Sequence, residues 1–438
     1  MQTADAIIES TWVIPVEPAR TALPDHAVVV RDGRILALLP ADEARTAYRA
    51  AQHLQLPGHA LIPGLVNLHT HAAMTLMRGL ADDIALMEWL NRHIWPVEKR
   101  LASPEFVYDG TLLACAEMLR GGITTFNDMY FFPAAAARAA LDAGIRAALG
   151  MIVIEFPSPY AADAHDYLAK GLAVRDELKG EPLLSFCFAP HAPYTVGDRT
   201  LERIATLIGE IDVPVHIHLH ETDDEIAQSM AQHQVRPLER LARAGLVGSN
   251  LIAVHGVHLS DAEIAELARQ GCHVAHCPSS NLKLASGIAP VAQLLDAGVN
   301  VGLGTDGAAS NNRLDLFAEM RLAALLAKGA SGVPTTLPAW QALEMATLHG
   351  ARALGIDAVA GSLRPGKSAD LVAVNLAAPE LSPCYDPVSH LVYAAGREHV
   401  SHVWVAGRQV IQDGRHIHLD AAALTAKAAQ WQQRIQSL

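Results

Sequence analysis

Pro63-Gly64-Leu65-Val66-Asn67-Leu68-His69-Thr70-His71 is a short apolar run that ends in two histidines one residue apart. On a β-strand, side chains at i and i+2 project to the same face, so His69 and His71 direct both imidazoles toward one point. That point could hold a metal ion. Taken alone, the pair is also what a solvated strand end would present, so its meaning depends on the rest of the chain.

From about residue 61 to 360, short β-like runs alternate with longer amphipathic stretches, the pattern of βα units around a parallel sheet. Strands are expected at Leu61–Leu68, Ile123–Asn127, Ala147–Ile154, Leu183–Ala189, Val213–His218, Leu251–His255, His273–His276 and Asn300–Gly304. Helical periodicity marks Pro104–Arg120, Ala134–Ala143, Thr200–Glu210, Asp261–Arg269 and Ala289–Ala297. Eight such units predict an α/β fold, a (β/α)8 TIM-like barrel.

Residues 1–60 read instead as strands at Ala6–Pro15, Ala27–Val30, Ile35–Leu39 and Ala60–Ile62, with Arg31-Asp32-Gly33-Arg34 as a hairpin turn. Matching pieces lie at Asp370–Val374 and His402–Ile411. The expected division is a small β-sandwich domain built from both chain ends, 1–60 and 365–438 with a terminal helix, flanking a barrel over 61–364.

Composition narrows the function. A chain of 438 residues, 51% hydrophobic and 18% charged, can bury a large core, and its formal net charge of −13 argues against nucleic-acid or anionic-membrane partners. Five cysteines lack a disulfide spacing, and neither a signal peptide nor a membrane span is visible, so a cytoplasmic protein is expected.

Barrel chemistry sits at the carboxyl ends of the strands. There the chain offers His69 and His71, Asn127-Asp128, His191, His218 with Glu221, His255, and Asp306. His69, His71 and His218 could supply imidazole nitrogens to a metal and Asp306 an oxygen. Glu221 could shuttle protons and His255 act as an acid or base. Each has a plainer alternative. His218 lies in a histidine-rich strand beside His216 and His220, Asp306 in a glycine-rich turn, Glu221 near a helix start, and His255 could simply be a buried histidine. Cys272-His273-Val274-Ala275-His276-Cys277 looks like a metal knot, but strand alternation throws its residues onto opposite faces, and it reads as structural. The His-x-Glu and Pro-Cys-x-x-Cys signature of compact zinc nucleobase deaminases is absent.

Together the first motif, His218 with Glu221, Val254-His255-Gly256-Val257-His258 and Gly304-Thr305-Asp306-Gly307 resemble the mononuclear-metal subgroup of the amidohydrolase superfamily. Pro365-Gly366-Lys367-Ser368-Ala369-Asp370-Leu371 is similar to that family's return to its β-sandwich. A bridging lysine has no candidate at the fourth strand, where His191 stands. Ala72–Asp83, Glu88-Trp89-Leu90, Trp95-Pro96-Val97-Glu98 and Ala189–Tyr194 resemble the 5-methylthioadenosine/S-adenosylhomocysteine deaminases.

That resemblance implies one divalent metal per subunit, with Zn2+ expected, held by His69, His71, His218 and Asp306. It implies a purine nucleoside substrate whose 6-amino group is replaced by oxygen with release of ammonia. Glu221, His255 and Asp306 would handle protons. Glu98 would grip the ribose hydroxyls, His191 would contact the nucleoside, Trp89 would line the pocket and Ser310 would sit at its rim. Read without the resemblance, Glu98 is a surface helix charge and Trp89 a core aromatic. A homo-oligomer is also implied. The stretch Glu155–Asp176 carries only Lys170 and Arg175 as cations, where arginines are expected for the amino-acid carboxylate of S-adenosylhomocysteine, so methylthioadenosine is the favoured substrate. Rivals on the same barrel are guanine or cytosine deaminase and triazine hydrolases. A rival of another class is a non-catalytic scaffold, which would be expected to have lost ligands.

Overall fold

The computed structural model describes residues 1–438. Four strands open the chain: β1 (Gln2–Val13), β2 (Leu23–Arg31), β3 (Arg34–Pro40) and β4 (Tyr48–Pro63). Eight follow: β5 (Leu65–Thr70), β6 (Ile123–Asp128), β7 (Arg146–Val153), β8 (Leu184–Pro190), β9 (Val215–Leu219), β10 (Leu251–His255), β11 (His273–His276) and β12 (Asn300–Leu303). The last four are β13 (Leu371–Asn375), β14 (Val400–Val405), β15 (Arg408–Gln412) and β16 (Arg415–His416).

Strands β5 to β12 pair in sequence order, each parallel to the next, with helices between them. The cylinder is closed at the seam between β5 and β12. Asn67 donates to Thr305 Oγ1 (2.8 Å) and accepts from Thr305 N (2.9 Å), and Asp306 N donates to His69 O (3.0 Å). The seam thus fixes the first and last candidate ligands against one another.

Two glycines explain the spacing of these motifs. A Cβ on Gly64 would lie 1.9 Å from Thr124 Oγ1, and one on Gly304 would lie 2.9 Å from His69 Cβ and 3.0 Å from Cys277 Sγ. Only a bare backbone lets β5, β6 and β12 approach so closely.

The sandwich expected from both chain ends is hydrogen-bonded as one eight-stranded sheet, in the order β16-β15-β14-β13-β4-β1-β2-β3. The ends meet where β13 runs antiparallel to β4, Leu371 opposite Pro63 and Val374 opposite Ala60. Ile8, Val28, Ile35, Leu61, Leu371 and Trp404 form a core common to both ends, while Val372, Val403 and Val410 belong to the main barrel core. Arg146 at the start of β7 pins the sheet to the barrel: it donates to Asp370 (3.2 Å) and Ser368 Oγ (3.1 Å), all three groups being buried.

Differences from the sequence expectation are local. The run 61–68 is split at Gly64, where the chain leaves the sheet and enters the barrel. Strand β4 extends back to Tyr48 through parallel pairing with β1, and a short helix, Ala41–Ala47, precedes it. Pro104–Arg120 and Asp261–Arg269 are helices with the expected bounds, capped by the side chains of Ser103 and Ser260. No helix is long and apolar enough to cross a membrane.

Candidate metal centre and substrate pocket

At the carboxyl end of the barrel the ligand atoms of His69, His71 and Asp306 lie within 4.8 Å of one another, as do those of His69, His218 and His255. His69 Nε2 and His71 Nε2 each lie 3.3 Å from Asp306 Oδ1.

The orientation of the rings is set from behind. His71 Nδ1 donates to Met129 O (2.7 Å), His218 Nδ1 to His191 O (2.6 Å) and His255 Nδ1 to Asn281 Oδ1 (2.8 Å). His69 Nδ1 pairs with His216 Nε2 (2.9 Å). Donation from Nδ1 leaves Nε2 of His71, His218 and His255 to face the centre with its lone pair, the arrangement in which outer partners hold metal-binding imidazoles, and His69 matches it when its Nδ1 donates to His216.

Burial pushes the His69 imidazole down to about 4, despite the opposing pull of Asp306, and holds His218 well below its ordinary range. Both are neutral near pH 7, as a metal ligand must be. Burial opposes the charge on Asp306, but the facing imidazoles outweigh it and hold the carboxyl well below its usual range. His69 Nε2 is buried and close to Asp306, yet it lacks an aligned hydrogen-bond partner. Nitrogen and oxygen donors of this kind, with one orphaned buried nitrogen among them, fit a divalent first-row ion.

Glu221 follows β9 and precedes Thr222, which caps the helix Asp223–His233; it therefore lies outside the helix. Its carboxylate is 3.8 Å from His255 Nε2. Burial raises its carboxyl, and His255 works in the opposite direction. Glu225 secures the corner by accepting from the backbone N–H groups of His220 (3.0 Å) and Glu221 (2.8 Å).

A cavity of about 350 Å3 opens onto this centre and is lined by all the remaining candidates: Glu98, His191, Trp89 and Ser310. Glu98, on the helix Trp95–Leu101, turns into the cavity, where burial lifts its carboxyl to about 7 against the neighbouring Tyr130 hydroxyl. It is not the solvated helix charge that its neighbours Lys99 and Arg100 suggest. Trp89 does both jobs considered for it, lining the cavity and packing in the main core. His191 N–H donates to Val153 O (3.1 Å), while burial pushes its ring down to about 3. Ser310 Oγ lies 3.2 Å from Ser280 Oγ.

Away from the centre the wall is largely apolar, with Leu86, Ile94, Trp95, Phe156 and Pro159, and Lys99 is the one Lys or Arg among the lining residues. Lys170 and Arg175 are engaged elsewhere, with Tyr160 O and Asp166 in one case and Asp176 in the other.

Cys272 and Cys277 are buried free thiols and His276 is a buried imidazole; none joins the ligand groups. The sequence gives Asn281 and Ser280 no role, and places His216 on the strand face of His218 without assigning it a partner. No spacing signal ties Asn281 or Ser280 to a partner on another strand.

Fold and donor set together define a metal-dependent (β/α)8-barrel enzyme. The amidohydrolase family model matches residues 60–410, and the chain belongs to the amidohydrolase family. It is 46% identical over 433 residues to a 5-methylthioadenosine/S-adenosylhomocysteine deaminase of Teredinibacter turnerae, covering 99% of this chain and 98% of the relative. An adenosine deaminase from Xanthomonas campestris, crystallised with bound zinc, superposes with a TM-score of 0.99 at 49% identity and full coverage of both chains. An atrazine chlorohydrolase from Arthrobacter aurescens TC1 complexed with zinc gives a TM-score of 0.90 at 25% identity, covering 97% of this chain and 99% of that one.

Proposed function

We propose that this protein is a zinc-dependent hydrolytic deaminase of 5'-methylthioadenosine, yielding the inosine derivative and ammonia. The observation that carries the reading is the pocket: a half-buried carboxylate at Glu98 and an arginine-free apolar wall share one cavity with the metal centre. Ribose hydroxyls suit the carboxylate and a methylthio group suits the wall, whereas the zwitterionic tail of S-adenosylhomocysteine would find only Lys99. The relatives at 42–46% identity that bear the methylthioadenosine/S-adenosylhomocysteine deaminase name support the same reaction.

His69, His71, His218 and Asp306 would hold the ion. When bound, zinc lowers the pKa of water from about 15.7 toward about 7. Glu221, whose carboxyl is raised by burial, gives a proton to ring nitrogen N1 as the ring takes up negative charge. His255 and Asp306 accept the proton of the attacking water, and Asp306 passes one to the departing amine. His191 contacts the nucleoside, Trp89 packs on it and Ser310 borders the pocket. The test is kcat/KM for 5'-methylthioadenosine, S-adenosylhomocysteine, adenosine and guanine under identical conditions. Methylthioadenosine should lead; a lead for S-adenosylhomocysteine would refute the reading of the pocket wall, and a lead for guanine would refute the nucleoside assignment.

A further inference from the structure

His255 ends β10 in a left-handed conformation, φ +72°, followed by Gly256 at φ +57°. A non-glycine residue persists there only where its surroundings hold it. The turn returns the imidazole over the barrel mouth, its Nε2 3.8 Å from Glu221 and its ring stacked 5.5 Å from that of His218. What holds the far side of the ring comes from another strand.

After β11, the segment Cys277-Pro278-Ser279-Ser280-Asn281 winds into the short helix Pro278–Lys283. Asn281 is 1% exposed. Its Oδ1 accepts from His255 Nδ1 at 2.8 Å, while its Nδ2 is buried without a partner. The side chain therefore makes a single hydrogen bond, to the candidate base. The preceding Ser280 hydroxyl donates to Asp306 Oδ2 (2.6 Å), and Glu319 anchors the turn by accepting from Ser279 N (3.1 Å). One turn that lines up behind the reaction centre thus touches both residues assigned to the water's proton.

We propose that Asn281 is a positioning residue for the deamination: its carbonyl oxygen fixes His255 as the Nδ1–H tautomer, so that Nε2 presents a lone pair to the proton of the attacking water. An acceptor at this position is what matters, because a neutral imidazole carries one proton and the hydrogen bond decides on which nitrogen it sits. This rests on the proposed deaminase reading only for the identity of the reaction; the tautomer stands apart from it.

The test uses the zinc-loaded full-length protein with 5'-methylthioadenosine. Asn281→Leu, close in size but without an acceptor, should lower kcat by about 10- to 100-fold, the usual effect of losing an outer partner, with KM changed less than about threefold and metal content at the parental level. Asn281→Asp, which restores an acceptor oxygen, should recover most of that loss. Nitrogen NMR of histidine-labelled parent protein, with the His255 signal assigned by its loss in His255→Gln, should show the neutral Nδ1–H ring, and Asn281→Leu should lose that signature. Parental kcat in Asn281→Leu, a loss of kcat matched by loss of metal, no recovery in Asn281→Asp, or a parental His255 protonated on Nε2 would each overturn the proposal. Absence of purine turnover by the parent would refute the deaminase reading instead, and the nitrogen spectrum, recorded without substrate, would still decide the tautomer.

Discussion

If Glu98 grips the ribose as proposed, replacing it by glutamine should separate ribose recognition from the chemistry at the metal. Burial lifts the Glu98 carboxyl to about 7, so about a tenth of it is ionised at pH 6, half at pH 7 and nine-tenths at pH 8. Ionised, it would accept charge-assisted hydrogen bonds from ribose hydroxyls, worth about 1.5–3 kcal/mol each. Glutamine keeps one acceptor oxygen, so the expected loss is about one such bond, on the order of 10- to 100-fold in kcat/KM. The ratio of parental to Glu98→Gln kcat/KM for 5'-methylthioadenosine cancels titrations common to both proteins. That ratio should climb about five- to ninefold between pH 6 and 8 and level off above, following the ionised fraction with its midpoint near 7. The assay is the ultraviolet change from adenine to hypoxanthine chromophore across that range. A ratio that stays flat with pH, or one near unity throughout, would refute the assignment of Glu98 to the ribose.

Three further outcomes are expected. Glu221→Gln should reduce kcat by about 100- to 10,000-fold, the range for acid–base assistance, while metal analysis finds the ion still bound; full activity in that variant would remove Glu221 from proton transfer. Phe156→Arg places a cation on the apolar wall, where Phe156 is 45% exposed; a partly solvated ion pair with the amino-acid carboxylate, about 1 kcal/mol, should raise the kcat/KM ratio of S-adenosylhomocysteine over methylthioadenosine about fivefold. Asp370→Ala leaves Arg146 buried without its partner and should cost about 3–5 kcal/mol of stability, read as a lower denaturation midpoint, whereas Arg146→Met with Asp370→Leu should cost less.

The barrel was legible because its strands and helices are locally consistent. The run Ile123–Asn127 and the helix from Ser103-Pro104 to Arg120 announce themselves by apolar pattern and cap. His69 and His71 were legible because two-residue spacing on a strand has one geometric meaning. By contrast, β4 runs through Arg49, Gln52 and Gln55, residues with no strand pattern of their own, and forms by pairing with β1 some 45 residues earlier. The helix Ala41–Ala47 has no side-chain cap at Pro40, so only the acidic pair Asp42 and Glu43 in its first turn marks its start. Glu98 could be placed only through the family resemblance, since its neighbours are charged and exposed. Asn281 acts across strands, at a separation of 26 residues from its partner, where sequence spacing carries no information.

The central claim is that metal and carboxylates here remove the 6-amino group of a purine nucleoside. Its most direct test is to incubate zinc-loaded protein with 5'-methylthioadenosine and follow ammonia together with the hypoxanthine spectrum. The account predicts one ammonia released for each inosine derivative formed, and loss of both on chelation, restored by zinc. Protein with bound zinc that leaves methylthioadenosine, S-adenosylhomocysteine and adenosine all untouched would contradict it.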